Sequence, residues 1–221
     1  MAEYKDLTEY SYLDSPIPML NMGWLGTELG TQGVQTPPPQ SLLLALEKEV
    51  NVPRSLTLGS HECEFCPSEG HAPETGNGEI HIYAPSGRTY SAPTLVLHYV
   101  KAHQYTPPAE FTAASTAPGA PDWDDRAEML CSILKDESGD PAWQVNALID
   151  LPNWHDSRAY QAITEAATNE EITLTADYEL ARSLSRFWAR SHSIDVSVYE
   201  KLPPNVRAHL DVGKIQRHLQ T

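Results

Sequence analysis

Cys63-Glu64-Phe65-Cys66, followed after thirty-one intervening residues by His98-Tyr99-Val100-Lys101-Ala102-His103, is the stretch on which the reading of the front half turns. Zinc in structural sites takes four ligands in a tetrahedron, with thiolate and imidazole its common donors. A two-residue gap lets a tight turn present both thiolates to one ion. Histidines five positions apart on a helix lie within reach of one another, inside the three-to-five gap typical of zinc-binding helices. Cys63, Cys66, His98 and His103 are therefore the expected ligands of a Zn2+ ion. Four protein donors leave no open coordination position, so the metal is expected to be structural. Two other readings stay open. A redox pair would be expected to carry a Trp-Cys or Gly-Pro interior within a parallel βαβ pattern, and neither is present. The cysteines can also be ordinary buried thiols, with the histidines sitting near a helix C-terminus where cations are favoured. His61, His71 and His81 stand as alternate donors, and more simply as surface or packing residues. Cys131 lies among Met129, Ile133 and Leu134 on an apolar face and reads as core.

Between the cysteines and the histidines, Glu79-Ile80-His81-Ile82-Tyr83 alternates polar and apolar, as does Arg88-Thr89-Tyr90. Ala84-Pro85-Ser86-Gly87 supplies the turn, which predicts a hairpin. Pro93 sits where a helix can begin, and Thr94 to His103 continues it until Pro107-Pro108. Upstream, Ser15-Pro16-Ile17-Pro18 and Gly23, Gly26, Gly30 and Gly33 predict mostly irregular chain. Within it, Met19-Leu20-Asn21-Met22-Gly23-Trp24-Leu25 is apolar enough to demand a packing partner. After Pro37-Pro38-Pro39, Leu42, Leu43, Leu46 and Val50 recur at helical spacing until Pro53.

Downstream, Ala113 to Pro121 is small, uncharged and proline-bearing, the best linker in the chain. Beyond it the pattern is helical. Asp122 is the expected N-cap of a helix carrying Met129, Leu130, Ile133 and Leu134. Asp140-Pro141 caps a second with Val145, Leu148 and Ile149, and Asp156 a third with Ala159, Ile163 and Ala166. Leu180, Leu184, Phe187 and Trp188 mark a fourth, and Pro203-Pro204 starts a last one with Val206, Leu210 and Ile215. Short loops force neighbouring helices to run oppositely. The fold class expected is α+β. A small zinc-bound hairpin-and-helix module spans 1–113, a linker 114–121, and an all-α antiparallel helical region 122–221.

The whole chain of 221 residues carries 15 Lys+Arg against 30 Asp+Glu, a formal charge of −15. The excess is spread as −4 over residues 1–60, −4 over 61–118 and −7 over 119–221, so no segment is basic. Phosphate backbones demand clustered Lys and Arg, and the zinc-site helix offers only Lys101, which argues against direct nucleic-acid binding. The same charge permits a basic protein partner. No apolar run spans a membrane, and no secretory signal is visible at Met1-Ala2-Glu3-Tyr4-Lys5-Asp6, so a cytoplasmic location is expected. Catalysis finds no Gly-x-Ser-x-Gly elbow, phosphate loop or His-Glu-x-x-His. A site using His61, His81 or His155 as acid–base group is the enzymatic alternative, and a zinc-dependent regulator acting on nucleic acid through a partner is another.

The quoted motifs belong to a wider set. Tyr10-Ser11-Tyr12, Leu20-Asn21-Met22-Gly23-Trp24-Leu25, Gly59-Ser60-His61-Glu62-Cys63-Glu64-Phe65-Cys66, Gly76-Asn77-Gly78-Glu79-Ile80, Tyr90-Ser91-Ala92-Pro93, His98-Tyr99-Val100 and His103 to Phe111 run through the first 113 residues. Over this stretch the chain resembles a family of uncharacterised bacterial zinc-containing proteins. The resemblance implies a zinc module and no activity. Such modules look like those of bacterial immunity proteins, which neutralise a toxin by occluding its site. By that analogy the expected partner is a toxin or effector protein. The stretch from Asp156-Ser157-Arg158-Ala159 to Ala181-Arg182-Ser183-Leu184 resembles one HEAT-type unit, with residues 124–151 a degenerate copy, an irregular bundle being the alternative.

Overall fold

A computed structural model describes residues 3–27, 37–54, 59–66, 73–136 and 138–210. Strands β4 (Glu79–Tyr83) and β5 (Thr89–Pro93) pair antiparallel, Ile80 opposite Ala92 and Ile82 opposite Tyr90. The turn between them closes through Ala84 N–H to Arg88 C=O at 2.9 Å, with Gly87 at φ 85°, a conformation that costs glycine nothing. The apolar segment at residues 19–25 finds its partner here. Its first part is β1 (Leu20–Asn21), parallel to Tyr90–Ser91 of β5, giving a three-stranded sheet of order β1-β5-β4. Trp24 then donates its indole N–H to Ser91 C=O at 3.2 Å and packs edge-on against Tyr4.

All five residues of β4 are buried, so its polar–apolar alternation does not mean one wet face. Ile80 and Ile82 enter the core, while Glu79 accepts the Tyr10 hydroxyl at 2.8 Å and the Ser91 hydroxyl. The N-terminal segment thus covers the second face and satisfies the carboxylate it buries. His81, read as surface or packing, is buried 4.0 Å from Glu79. Helix α1 (Gln40–Val50) buries Leu42 and Leu46 as the spacing predicts. The next helix starts later than Pro93 suggests. Pro93 ends β5 opposite Glu79, Thr94 N–H continues the ladder to Gly78 C=O at 3.0 Å, and α2 covers Val96–Ala102. Proline is tolerated at a strand end, and pairing with β4 wins over helix initiation. Helix α3 (Ala109–Ser115) buries Phe111 and takes in the first residues of the expected linker, Ala114 and Ser115. A two-stranded ribbon, β2 (His61–Glu62) and β3 (Thr75–Gly76), completes this part.

The chain divides into two compact units, Met1–Gly119 and Ala120–Thr221. The second is helical among its described residues. Its helices are α4 (Asp125–Lys135), α5 (Pro141–Asp150), α6 (Ser157–Ala166), α7 (Glu170–Thr175), α8 (Asp177–Ser191), α9 (Val196–Tyr199) and α10 (Pro204–Ala208). Helices α4, α5, α8 and α6 touch in a closed ring of four around Leu130, Leu148, Ile163 and Leu184. The cap of α4 is Asp124 and not Asp122: its carboxylate accepts from Arg126 and Ala127 N–H, while Asp122 gives its carbonyl to the Trp154 indole at 3.1 Å. Asp140 and Asp156 cap α5 and α6 as their sequence order predicts. Met129 is 40% exposed, one residue round the helix from the buried stripe, whereas Cys131 is buried. Helix α7, between α6 and α8, is capped by Asn169, whose side chain accepts from Glu171 and Ile172 N–H. Ile215 lies outside the described residues. Among the described residues no helix is long and apolar enough to cross a membrane.

Candidate metal centre

Cys63 leaves β2 with its N–H bonded to Glu74 C=O at 2.8 Å, which extends the ribbon by one rung and fixes the first sulfur. A turn through Glu64 and Phe65 brings Cys66 round to the same side. Glu64 is anchored by Thr27 N–H at 3.2 Å. The ribbon is seated against the start of α2 at Gly76, where a Cβ would lie 2.7 Å from Leu95 Cγ and 2.8 Å from Thr94 Oγ1. Only glycine allows that approach.

The histidines converge for a reason the sequence spacing does not contain. Five positions on an ideal helix separate side chains by roughly 140° around the axis. Helix α2, however, ends at Ala102. His103 has φ −117° and ψ 13°, and Gln104 has φ 56°, so the chain turns back and Tyr105 N–H returns to Tyr99 C=O at 3.1 Å. His98 therefore projects from the helix and His103 from its C-cap toward one point.

All four donor atoms lie within 4.8 Å of one another. Cys63 Sγ is 3.2 Å from His103 Nε2, Cys66 Sγ 3.3 Å from His98 Nε2 and 3.5 Å from His103 Nε2, and the two Nε2 atoms are 3.0 Å apart. A tetrahedron with zinc's bond lengths has edges of about 3.6 Å for sulfur–nitrogen and about 3.3 Å for nitrogen–nitrogen. These four edges are within a few tenths of an ångström of those values. Hydrogen bonding alone does not fit as well, since a neutral imidazole has one N–H and a thiol is a weak donor. The group can hold a metal ion.

Its surroundings suit that role. Cys63 is buried and the other three are half-buried. Phe65, between the cysteines, packs edge-on to Tyr99 at 5.8 Å and lies 5.6 Å from the His103 ring. Burial pushes the Cys63 thiol up, so in the metal-free pocket it resists ionising. Burial, with His98 beside it, pushes the His103 imidazole down, holding it neutral. A divalent ion reverses the first effect and requires the second, because ligands bind as thiolate and neutral imidazole.

The alternate donors are elsewhere. His61 sits in β2 opposite Gly76, His81 in β4 beside Glu79, and His71 lies outside the described residues. His155 is exposed, and the neighbouring Asp156 carboxylate takes Arg158's N–H at 2.9 Å and its guanidinium. Two parts of the surroundings went unread in the sequence. One is Gly76, signalled only by Gly-Asn-Gly. The other is Asp6, which receives Gly23 N–H and the Tyr105 hydroxyl, each at 2.8 Å, and ties the N-terminal segment to the loop that follows His103.

Among proteins of curated function and among solved structures, nothing matches the chain. A family model does match residues 2–116, the stretch that holds Cys63, Cys66, His98 and His103. The chain thus belongs to the family defined by the domain of unknown function DUF7919.

Proposed function

We propose that Cys63, Cys66, His98 and His103 hold a structural zinc ion, and that the chain acts by stoichiometric binding, without catalysis, to a basic protein. The observation that carries this reading is the closure of the cluster: four protein donors around one point, with no further position for a substrate. Zinc suits two thiolates and two imidazoles better than harder cations do. A small module with a three-stranded sheet and three short helices gains from such a staple what its apolar core alone supplies poorly. The excess of 30 acidic over 15 basic side chains favours encounter with a positively charged protein. The helical unit, with its closed ring of α4, α5, α8 and α6, is the scaffold in this reading. Neutralisation of a toxin, as by an immunity protein, is the form of binding that the zinc-module analogy supports.

Elemental analysis of the purified full chain is expected to give one zinc per chain, with Cys63→Ser and His103→Ala losing most of it. Wild-type protein free of zinc, or variants that keep it, would falsify the metal reading. For the partner, an effector encoded in the same operon is expected to be inhibited at a one-to-one ratio at low salt. Undiminished effector activity at a several-fold excess of this protein overturns the binding reading and leaves the metal untouched.

A further inference from the structure

The helical unit contains a cleft of about 320 Å³ walled by Tyr160, Phe187 and Trp188, with Ser191, Ser193 and Asp195 at its polar side. Tyr160 comes from α6, Phe187 and Trp188 from α8, and Asp195 is the residue that caps α9. The polar atoms are ordered by one chain of hydrogen bonds. The Trp188 indole N–H donates to the Tyr160 hydroxyl at 3.1 Å, and that hydroxyl donates to Asp195 Oδ2 at 3.1 Å. Asp195 Oδ1 is occupied by Val198 N–H at 3.2 Å and the Ser197 hydroxyl at 2.7 Å. Hydrogen bonds, chiefly that from Ser197, hold the carboxyl below its ordinary range, so it is anionic at neutral pH. Its Oδ2 retains acceptor capacity beyond the single Tyr160 bond.

Aromatic faces beside a fixed carboxylate make up a receptor for an organic cation: the rings attract it through their quadrupoles and the carboxylate accepts its hydrogen bonds. The same kind of contact occurs within the chain, where Arg190's guanidinium, anchored to Pro152 C=O, lies 4.4 Å from the Phe187 centroid. A planar guanidinium suits the site better than a compact ammonium, because it stacks on a ring and presents parallel N–H groups to a carboxylate.

We propose that this cleft binds an arginine side chain of the protein partner. The inference deepens the basic-partner reading and rests on it for the source of the arginine, while the chemistry of the cleft stands on its own residues.

The test uses the zinc-loaded full chain and NMR titration with N-acetyl-arginine amide, N-acetyl-citrulline amide and N-acetyl-lysine amide. The arginine probe is expected to shift the Trp188 indole N–H and the amides around Ser193 and Asp195. The neutral citrulline isostere is expected to leave them in place, and lysine to bind several-fold more weakly. Asp195→Asn keeps a good helix cap and is expected to weaken arginine binding at least tenfold. Phe187→Leu, which keeps apolar volume and loses the ring, is expected to weaken it several-fold. Equal response to citrulline or lysine, shifts centred elsewhere, or unchanged binding by Asp195→Asn each overturn the assignment. A partner that binds Asp195→Asn undiminished overturns the cleft and spares the partner reading. Arginine capture with no inhibited effector spares the cleft and removes that reading.

Discussion

Gly76 shows how little room the candidate metal centre leaves at the level of one residue. It pairs with His61 across the ribbon, and a Cβ there would meet Leu95 Cγ at 2.7 Å, Thr94 Oγ1 at 2.8 Å and Leu95 N at 3.2 Å. The two side-chain tips can move, but the backbone nitrogen belongs to the turn that launches α2 and its two histidines. Gly76→Ala must therefore either lift the ribbon, carrying Cys63 with it, or displace the start of α2, carrying His98. Overpacking of this kind costs typically about 1–3 kcal/mol. The expected result is a lower urea midpoint with unchanged slope, and weaker zinc retention against a chromophoric chelator. A variant that matches wild type in both measurements would show that the ribbon does not depend on this approach. The same close packing explains why the cysteine pair reads easily in sequence while the glycine does not. Two cysteines separated by two residues announce their chemistry, whereas a glycine's role depends on residues 18 and 19 positions away.

Elements governed by local chemistry were legible in the sequence, and elements governed by distant contacts were not. Leu42 and Leu46 at helical spacing, Asp140 before Pro141, and Asp156 before an alanine-rich segment each specify their helix through neighbours in the chain. Strand β1 is two residues long and exists because Tyr90 and Ser91 lie beside it, which no local pattern records. Burial of Glu79 depends on Tyr10, 69 residues away. For the Cys63, Cys66, His98 and His103 cluster, the candidate donors were readable, but their convergence depends on α2 ending at Ala102 and on the positive φ of Gln104. Helix α6 allows a prediction at this scale. Asp156 caps it, and hydrogen bonds from the Arg158 side chain and backbone hold the Asp156 carboxyl down at about 2. A folded-state value below the unfolded one means the group stabilises the helix fully above about pH 4. That contribution is lost as the pH falls toward 2. Asp156→Asn keeps the cap oxygen and deletes the ion pair, so the variant is expected to unfold at a lower temperature than wild type at pH 7. The gap should close as the pH is lowered from 4 toward 2. A gap that persists unchanged to pH 2 would mean the carboxylate's charge contributes nothing.

At the scale of the molecule, the two units have cores of different self-sufficiency. The helical unit closes a ring of four helices over Trp154, Trp188, Leu148 and Ile163, all at most 2% exposed. The front unit relies on a three-stranded sheet with a two-residue edge strand, a two-residue ribbon and helices of 7 to 11 residues. Structural zinc in small modules supplies on the order of 10 kcal/mol at neutral pH. Whole domains have net stabilities of only about 5–15 kcal/mol. If the cluster holds zinc as proposed, losing the ion removes as much free energy as the front unit has to spare, while the helical unit loses none of its own contacts. The expected consequence of stripping zinc with a strong chelator at pH 7 is selective. Tertiary signals from Trp24, Phe65 and Tyr99 should collapse, those of Trp188 should persist, and urea should then reveal a single transition where the loaded protein gives two. Adding back one equivalent of zinc should restore the lost signals. If Trp24 and Tyr99 keep their environment in the stripped chain, the sheet and α1 hold the front unit together unaided. If Trp188 collapses with them, the helical unit draws its stability from the front unit and not from its own ring of helices.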